Sequence, residues 1–188
     1  MIYTLYGSHG EYAQSIIQEG VTRPTAAYFV LPQPVDPARL HATLCCAVFH
    51  AIGLQVLDRA CRERSPLSLQ TERVGGIRLF LFPLAEDREF PLLDTYRYGA
   101  HTSYPYARVS CCGAVSALPV AQLQIPDELF AQPIAGAGEQ QRFFQKNGGR
   151  QQVLHGCDMH VLEQLCNAAA TWVEPQLKAL FGRSITGR

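Results

Sequence analysis

A chain of 188 residues with 47% hydrophobic residues and a formal net charge of zero can bury a substantial core, as one medium domain or two small ones. That composition excludes intrinsic disorder and argues against a protein that coats nucleic acid indiscriminately. No apolar run reaches the roughly 20 residues that span a bilayer, and MIYTLYGSHGEY has no basic region ahead of an apolar core, so we expect a cytoplasmic protein with no membrane partner.

IYTLYGSH predicts a short strand and EYAQSIIQEG a short helix stopped by Gly20. TAAYFVLPQP, rich in aromatic and β-branched residues, predicts a second strand ended by Pro32 and Pro34. Asp36-Pro37 is a helix start: Asp36 can cap the free amides, and Pro37 at the first helical position has no N–H to leave unpaired. A long helix then runs over 36–64. Leu40, Leu44, Val48 and Ala51 form one stripe, which Cys45, Phe49, Ile52 and Val56 widen. Asp58, Arg59, Arg62, Glu63 and Arg64 are expected in solvent, with Pro66 ending the element.

LSLQTERV and IRLFLFPL, on either side of Gly75-Gly76, predict a β-hairpin, since each alternates and paired glycines permit a tight turn. YPYARVSCCGAV and ALPVAQLQI predict two further strands. From Gln132 to Gln152 the chain is rich in Gly and Gln and predicts a long loop. A last helix begins near Asp158, with Leu162, Leu165, Cys166, Ala169, Trp172, Val173, Leu177 and Leu180 at helical spacing. Pro175 should kink it or start a new turn, and Gly182 should stop it. The sum is an α+β fold, a sheet with helices packed on one face.

Seven cysteines form an odd set without framework spacing, as expected of reduced thiols used as small apolar residues. Fourteen of the sixteen basic residues are arginine, and acids are absent from Thr95 to Pro126 and from Gln140 to Cys157. Those windows carry Arg97, Arg108, Arg142, Lys146 and Arg150, so a neutral molecule can still present one basic face. TYRYGAHTSYPYARVSCC adds aromatic rings, including Tyr104 and Tyr106, that can stack on unpaired bases while arginine meets phosphate or a base edge. The same rings also suit an ordinary edge strand with wet hydroxyls. QRFFQKNGGRQQ offers three cations and a Gly-Gly pair to a phosphate backbone, or is a solvated loop anchored by phenylalanine.

His41 with Cys45, and Cys46 with His50, are four apart and share helix faces, and HGCDMHVLEQLC adds further His and Cys. No CxxC pair accompanies them and buried thiols need no metal, so we expect no metal and no cofactor. His50 lies on an apolar face, a setting that favours the neutral imidazole able to accept a proton and equally suits a hydrogen-bonded core histidine. Ser103 and Ser110 have no nucleophile-elbow context.

A strand followed by PARLHATLCCAVFHAI resembles the first strand and helix of the hairpin-cutting CRISPR RNA endonucleases of the type I-F and type IV systems, members of the RAMP superfamily. PYARVSCC resembles that family's strand in which an arginine reads base edges of the RNA hairpin. The resemblance covers about a third of the chain and implies a ferredoxin-like (RAMP/RRM-like) antiparallel sheet. Its N-terminal half would be 1–94; residues 95–188 would carry the basic-aromatic strand, the Gly/Gln-rich loop and the terminal helix. It also implies His50 as a general base for metal-independent attack of a ribose 2′-hydroxyl, with Ser110 or Tyr106 orienting, and Arg108 on a base or phosphate. The sequence departs from the type I-F branch in GAVSALPVAQLQIPDELF, which has no basic residue where that branch has an arginine-rich helix, and in its apolar C-terminal helix. The expected function is therefore an RNA-binding subunit of a CRISPR effector ribonucleoprotein, together with its other subunits and acting on hairpin or single-stranded guide RNA, with endoribonuclease activity as the further step. The RNA contacts would be Arg97, Tyr104, Arg108, Arg142, Lys146 and Arg150. The alternative is a non-enzymatic interaction subunit of a plasmid, phage or secretion system.

Overall fold

A computed structural model describes residues 2–22, 25–31, 37–63, 74–84, 96–98, 102–104, 107–111, 118–130, 140–147, 150–155 and 159–186. In chain order the elements are β1 (Ile2–His9), a 3-10 turn (Gly10–Tyr12), α1 (Ala13–Glu19), β2 (Thr25–Val30), α2 (Pro37–Glu63) and β3 (Ile77–Leu84). There follow β4 (Tyr96–Tyr98), β5 (Thr102–Tyr104), β6 (Ala107–Cys111), β7 (Ala121–Gln124), a second 3-10 turn (Asp127–Phe130), β8 (Gln140–Asn147), β9 (Arg150–His155) and α3 (Met159–Thr186). The expected α+β class holds.

β1 runs antiparallel to β2 on one side and to β3 along its whole length on the other. β2 and β3 are therefore parallel to each other, and a parallel pair needs a long crossover, which α2 supplies. β6 adds outside β2 and β7 outside β3, giving a five-stranded sheet in the order β6-β2-β1-β3-β7. Strands from both halves of the chain thus share one sheet. β4 pairs with β5, and β8 with β9, in two separate two-stranded ribbons.

Period-2 alternation sends Leu5, Phe29, Leu79 and Leu81 into one core with Leu40, Leu44, Val48 and Ile52 of α2, all of them buried. Burying each such aliphatic side chain contributes about 1.5–3 kcal/mol. α2 comes so close to β1 that a Cβ on Gly7 would strike the Ala47 carbonyl oxygen, so only glycine fits that row. Leu162, Cys166, Ala169, Val173 and Leu177 put one stripe of α3 into the same core, and the Tyr3 and Phe181 rings meet edge-on at 5.5 Å. Cys45, Cys46 and Cys166 are buried thiols, none of them in a disulfide. Burial, and then the neighbouring Cys45, push the Cys46 thiol far up, so it stays protonated.

Several expectations need correction. The buried residues form two clusters rather than one: Ala13 and Ile16 of α1 and Leu54 of α2 join Tyr6, Tyr28, Phe80 and Phe82 in the second. The Gly/Gln-rich stretch is not simply a loop, because 140–147 and 150–155 pair as β8 and β9; alternating side chains let even a polar run satisfy its backbone in a ribbon. The expected hairpin partner of β3 lies mostly outside the described residues, and both edges of β3 are taken, by β1 and β7. α3 passes Pro175 and Gly182 to end at Thr186. Pro175 has no N–H to give the Thr171 carbonyl, but Val173 and Leu177 on either side of it are fully buried, and that packing carries the helix through. Trp172, expected on the apolar stripe, is 51% exposed. Pro32, Pro34, Asp36, Arg64 and Pro66 lie outside the described residues. Among the described residues no helix is long and apolar enough to cross a membrane.

Candidate functional site

His50, late in α2, is 7% exposed, and its ring lies edge-on to Phe29 at 6.0 Å and to Tyr6 at 6.3 Å. Two aromatic walls thus hold the imidazole inside the layer between helix and sheet. Tyr28 lies beside Tyr6, the two rings 5.5 Å apart. Burial first, and Tyr6 second, push the Tyr28 hydroxyl far up, so it remains a neutral phenol.

β6 brings Arg108 opposite Tyr28 and Ser110 opposite Ala26. The row that His50 packs on is Phe29, whose register partner is Ala107. Arg108 is therefore one register position from the Phe29↔Ala107 pair. Tyr106 lies outside the described residues. Arg97 sits in β4 opposite Ser103, and Tyr104 in β5 opposite Tyr96. Arg142 in β8 is the register partner of Val153, Lys146 falls in the irregular stretch between Phe144 and Asn147, and Arg150 opens β9 opposite Asn147. β4 lies against α2 and beside β8, so strands from the two acid-free windows are neighbours.

The His41/Cys45 pair of α2 is used for packing against α3. His41 Nε2 is 2.9 Å from Asn167 Oδ1, and its Nδ1 is 3.4 Å from Glu174 Oε2. The Cys45 thiol points to the Cys166 carbonyl, 3.7 Å away. Among the described residues no three His, Cys, Asp or Glu side chains converge as metal ligands.

A second centre was not foreseen. β1 and β2 share only the Thr4↔Val30 and Leu5↔Phe29 pairs, and past Leu5 the two strands part. Tyr6 and Ser8 of β1, Tyr12, Ile16 of α1, Val21 and Asp58 of α2 are among the residues that wall a cavity of about 190 Å³. Gly20, at φ 77°, turns the chain out of α1 to close its floor. On its flank His9 Nε2 lies 2.9 Å from Asp58 Oδ2, with the side chains 1% and 13% exposed. A carboxylate only accepts, so Nε2 carries the hydrogen. The His9 ring meets Tyr12 edge-on at 4.9 Å.

Asp58 is thus not solvated, contrary to expectation. Its place was readable from spacing: 44, 48, 51, 55 and 58 continue one helical stripe, and a polar group on a buried stripe must find a partner. Gln55 does the same, donating to the Gly75 carbonyl at 2.8 Å and accepting from its N–H at 3.3 Å. Arg62, in contrast, grips Glu11 at 3.0 Å with both side chains more than half exposed, a pair worth only about 0.2–1 kcal/mol.

No protein-family model, curated protein or solved structure matches the chain.

Proposed function

We propose that this chain is an RNA-binding, RAMP-like subunit of a CRISPR effector ribonucleoprotein, holding RNA along β4, β6, β8 and β9. The observation that carries the reading is the adjacency of β4 and β8, each drawn from a window without a single acid. Arg97, Arg142, Lys146 and Arg150 then belong to neighbouring ribbons, and neither of their sequence windows holds an acid. Arg108 extends the field onto the main sheet. Ferredoxin-like architecture is supported by the split β-α-β unit, β2-α2-β3 with β1 between, although here the intervening strand comes first in the chain.

The role is binding rather than cutting. A base that deprotonates a ribose hydroxyl must come within hydrogen-bond reach of it, and His50 is enclosed by Tyr6 and Phe29. The rival reading, an interaction subunit held to a protein partner, draws on the exposed Trp172 of α3.

Filter binding of a labelled hairpin RNA tests the proposal. Arg142→Ala with Arg150→Ala should weaken binding and flatten the salt dependence by about two phosphate contacts, while Trp172→Ala should leave it unchanged. Binding indifferent to both arginines would remove the proposal. Cleavage of the hairpin by the wild type, lost in His50→Ala with binding kept, would restore the enzymatic role.

A further inference from the structure

We propose that the ribbon of β4 and β5 is a stacking platform for unpaired nucleotides, so that the RNA segment it takes is single-stranded rather than duplex. The inference rests on the proposed RNA binding and names which part of an RNA the ribbon holds. Period-2 alternation fixes the placement. In register Tyr96 stands opposite Tyr104, Arg97 opposite Ser103 and Tyr98 opposite Thr102. Tyr96, Tyr98, Thr102 and Tyr104 therefore share one face of the ribbon, and Arg97 and Ser103 share the other. Each strand has 3 residues, so half of the ribbon is tyrosine, and every tyrosine falls on the same face.

That face suits a nucleobase. Every base offers a π-face to an aromatic ring, which makes stacking tolerant of sequence. A face made only for packing has no use for three phenols, each of which needs a hydrogen-bond partner when buried, whereas water or a base edge satisfies them. Charge supplies the complement. β4 neighbours β8, and both strands lie in windows without an acid. Arg142 and Lys146 of β8 thus offer cations to the phosphates of a strand whose bases lie on the tyrosines. A duplex keeps its bases stacked on one another and presents only backbone and groove edges, so it cannot use this face. The ribbon also meets α2. Were the tyrosine face the one packed there, removing the rings would cost stability and leave nucleotide binding unchanged.

Fluorescence anisotropy of the full chain tests this with three end-labelled probes, each about 12 nucleotides long: single-stranded oligoadenylate, the same backbone without bases, and a blunt RNA duplex. Oligoadenylate should bind at least about fivefold more tightly than either of the others, the least that one stacked base contributes. Tyr96→Ala with Tyr104→Ala should remove that preference while binding of the abasic strand and its salt dependence stay as in the wild type. Tyr96→Phe with Tyr104→Phe should keep it. The comparison of probes on the wild type needs no variant to fold. Equal affinity for oligoadenylate and the abasic strand, tighter binding of the duplex, or an undiminished preference in a double alanine variant of unchanged circular dichroism would each overturn the platform and leave RNA binding standing. No salt-sensitive binding of any of the three probes would overturn the RNA reading itself, and the platform with it.

Discussion

Gly7 sets the distance between sheet and helix. An added methyl would meet backbone, the Ala47 carbonyl oxygen, and the Ala51 Cβ at 3.0 Å, and neither can swing aside as a flexible side chain would. Gly7→Ala should therefore cost about 3 kcal/mol, the upper range for overpacking, as read from urea denaturation midpoints. Gln55 works by hydrogen bonding where Gly7 works by absence. Because it serves both backbone groups of Gly75, Gln55→Leu should cost about 2 kcal/mol through two orphaned groups, whereas the exposed Arg62→Ala should change stability by less than about 1 kcal/mol. Equal costs for the two variants would mean that Gln55 is not a clamp. At this scale the sequence was informative about types and silent about pairs. Gln55 and Asp58 stand out as polar residues continuing a buried stripe, but their partners, Gly75 and His9, lie 20 and 49 positions away, and spacing on one helix cannot name a residue on another element.

At the scale of elements, α2 was the most legible. Asp36-Pro37 and the 3.6-residue stripe predicted 36–64, and the helix runs Pro37–Glu63. α3 was less so, because Pro175 and Gly182 are local signals and burial against α2 is not local. β8 and β9 were unreadable for a related reason: QQRFFQKN and RQQVLH carry little apolar alternation, and a ribbon of polar strands leaves only its backbone pairing as a mark. Polar contacts also join α2 to α3. Glu174 accepts from Lys178 at 2.8 Å and lies 3.4 Å from His41. The Lys178 hydrogen bond is the largest influence on it; against the opposing effect of burial, it and His41 hold the Glu174 carboxyl below its ordinary value. A carboxylate depressed in the folded state stabilises above its unfolded pKa, about 4.3, and loses that contribution as pH falls through the lower folded value. Thermal denaturation of Glu174→Gln should accordingly show a smaller loss of Tm between pH 5 and pH 3, roughly the carboxylate range, than the wild type; parallel pH profiles would contradict this role.

For the whole molecule, the arrangement that organises everything else is β1 at the centre of the sheet with parallel β2 and β3 on its flanks. That placement gives α2 its crossover path. It also places β6, with Arg108, at the outer edge of the main sheet. The sequence foretold an α+β sheet and the strand character of most apolar segments; the order of strands depends on long-range pairing that no local pattern encodes. His50 illustrates the limit at the site itself. Its apolar face was plain from the helix, yet whether such a histidine serves core or chemistry depended on Tyr6 and Phe29, which reach it from two other elements. His50→Ala should open a cavity beside those rings and cost about 2–3 kcal/mol, a loss measurable by chemical denaturation and one that a solvent-facing base would not show.

The RNA binding we propose would, in a chain of zero net charge, have to act by local charge on the strands of two acid-free windows, and local charge leaves a salt dependence. The affinity for a labelled hairpin RNA should therefore be measured across a range of salt concentrations. Four cations on β4, β8 and β9 predict a slope of log K against log salt of about −3, reduced by roughly 0.8 for each of Arg97, Arg142, Lys146 and Arg150 replaced by alanine. A flat slope, or a slope unchanged when all four are removed, would contradict RNA binding by these strands.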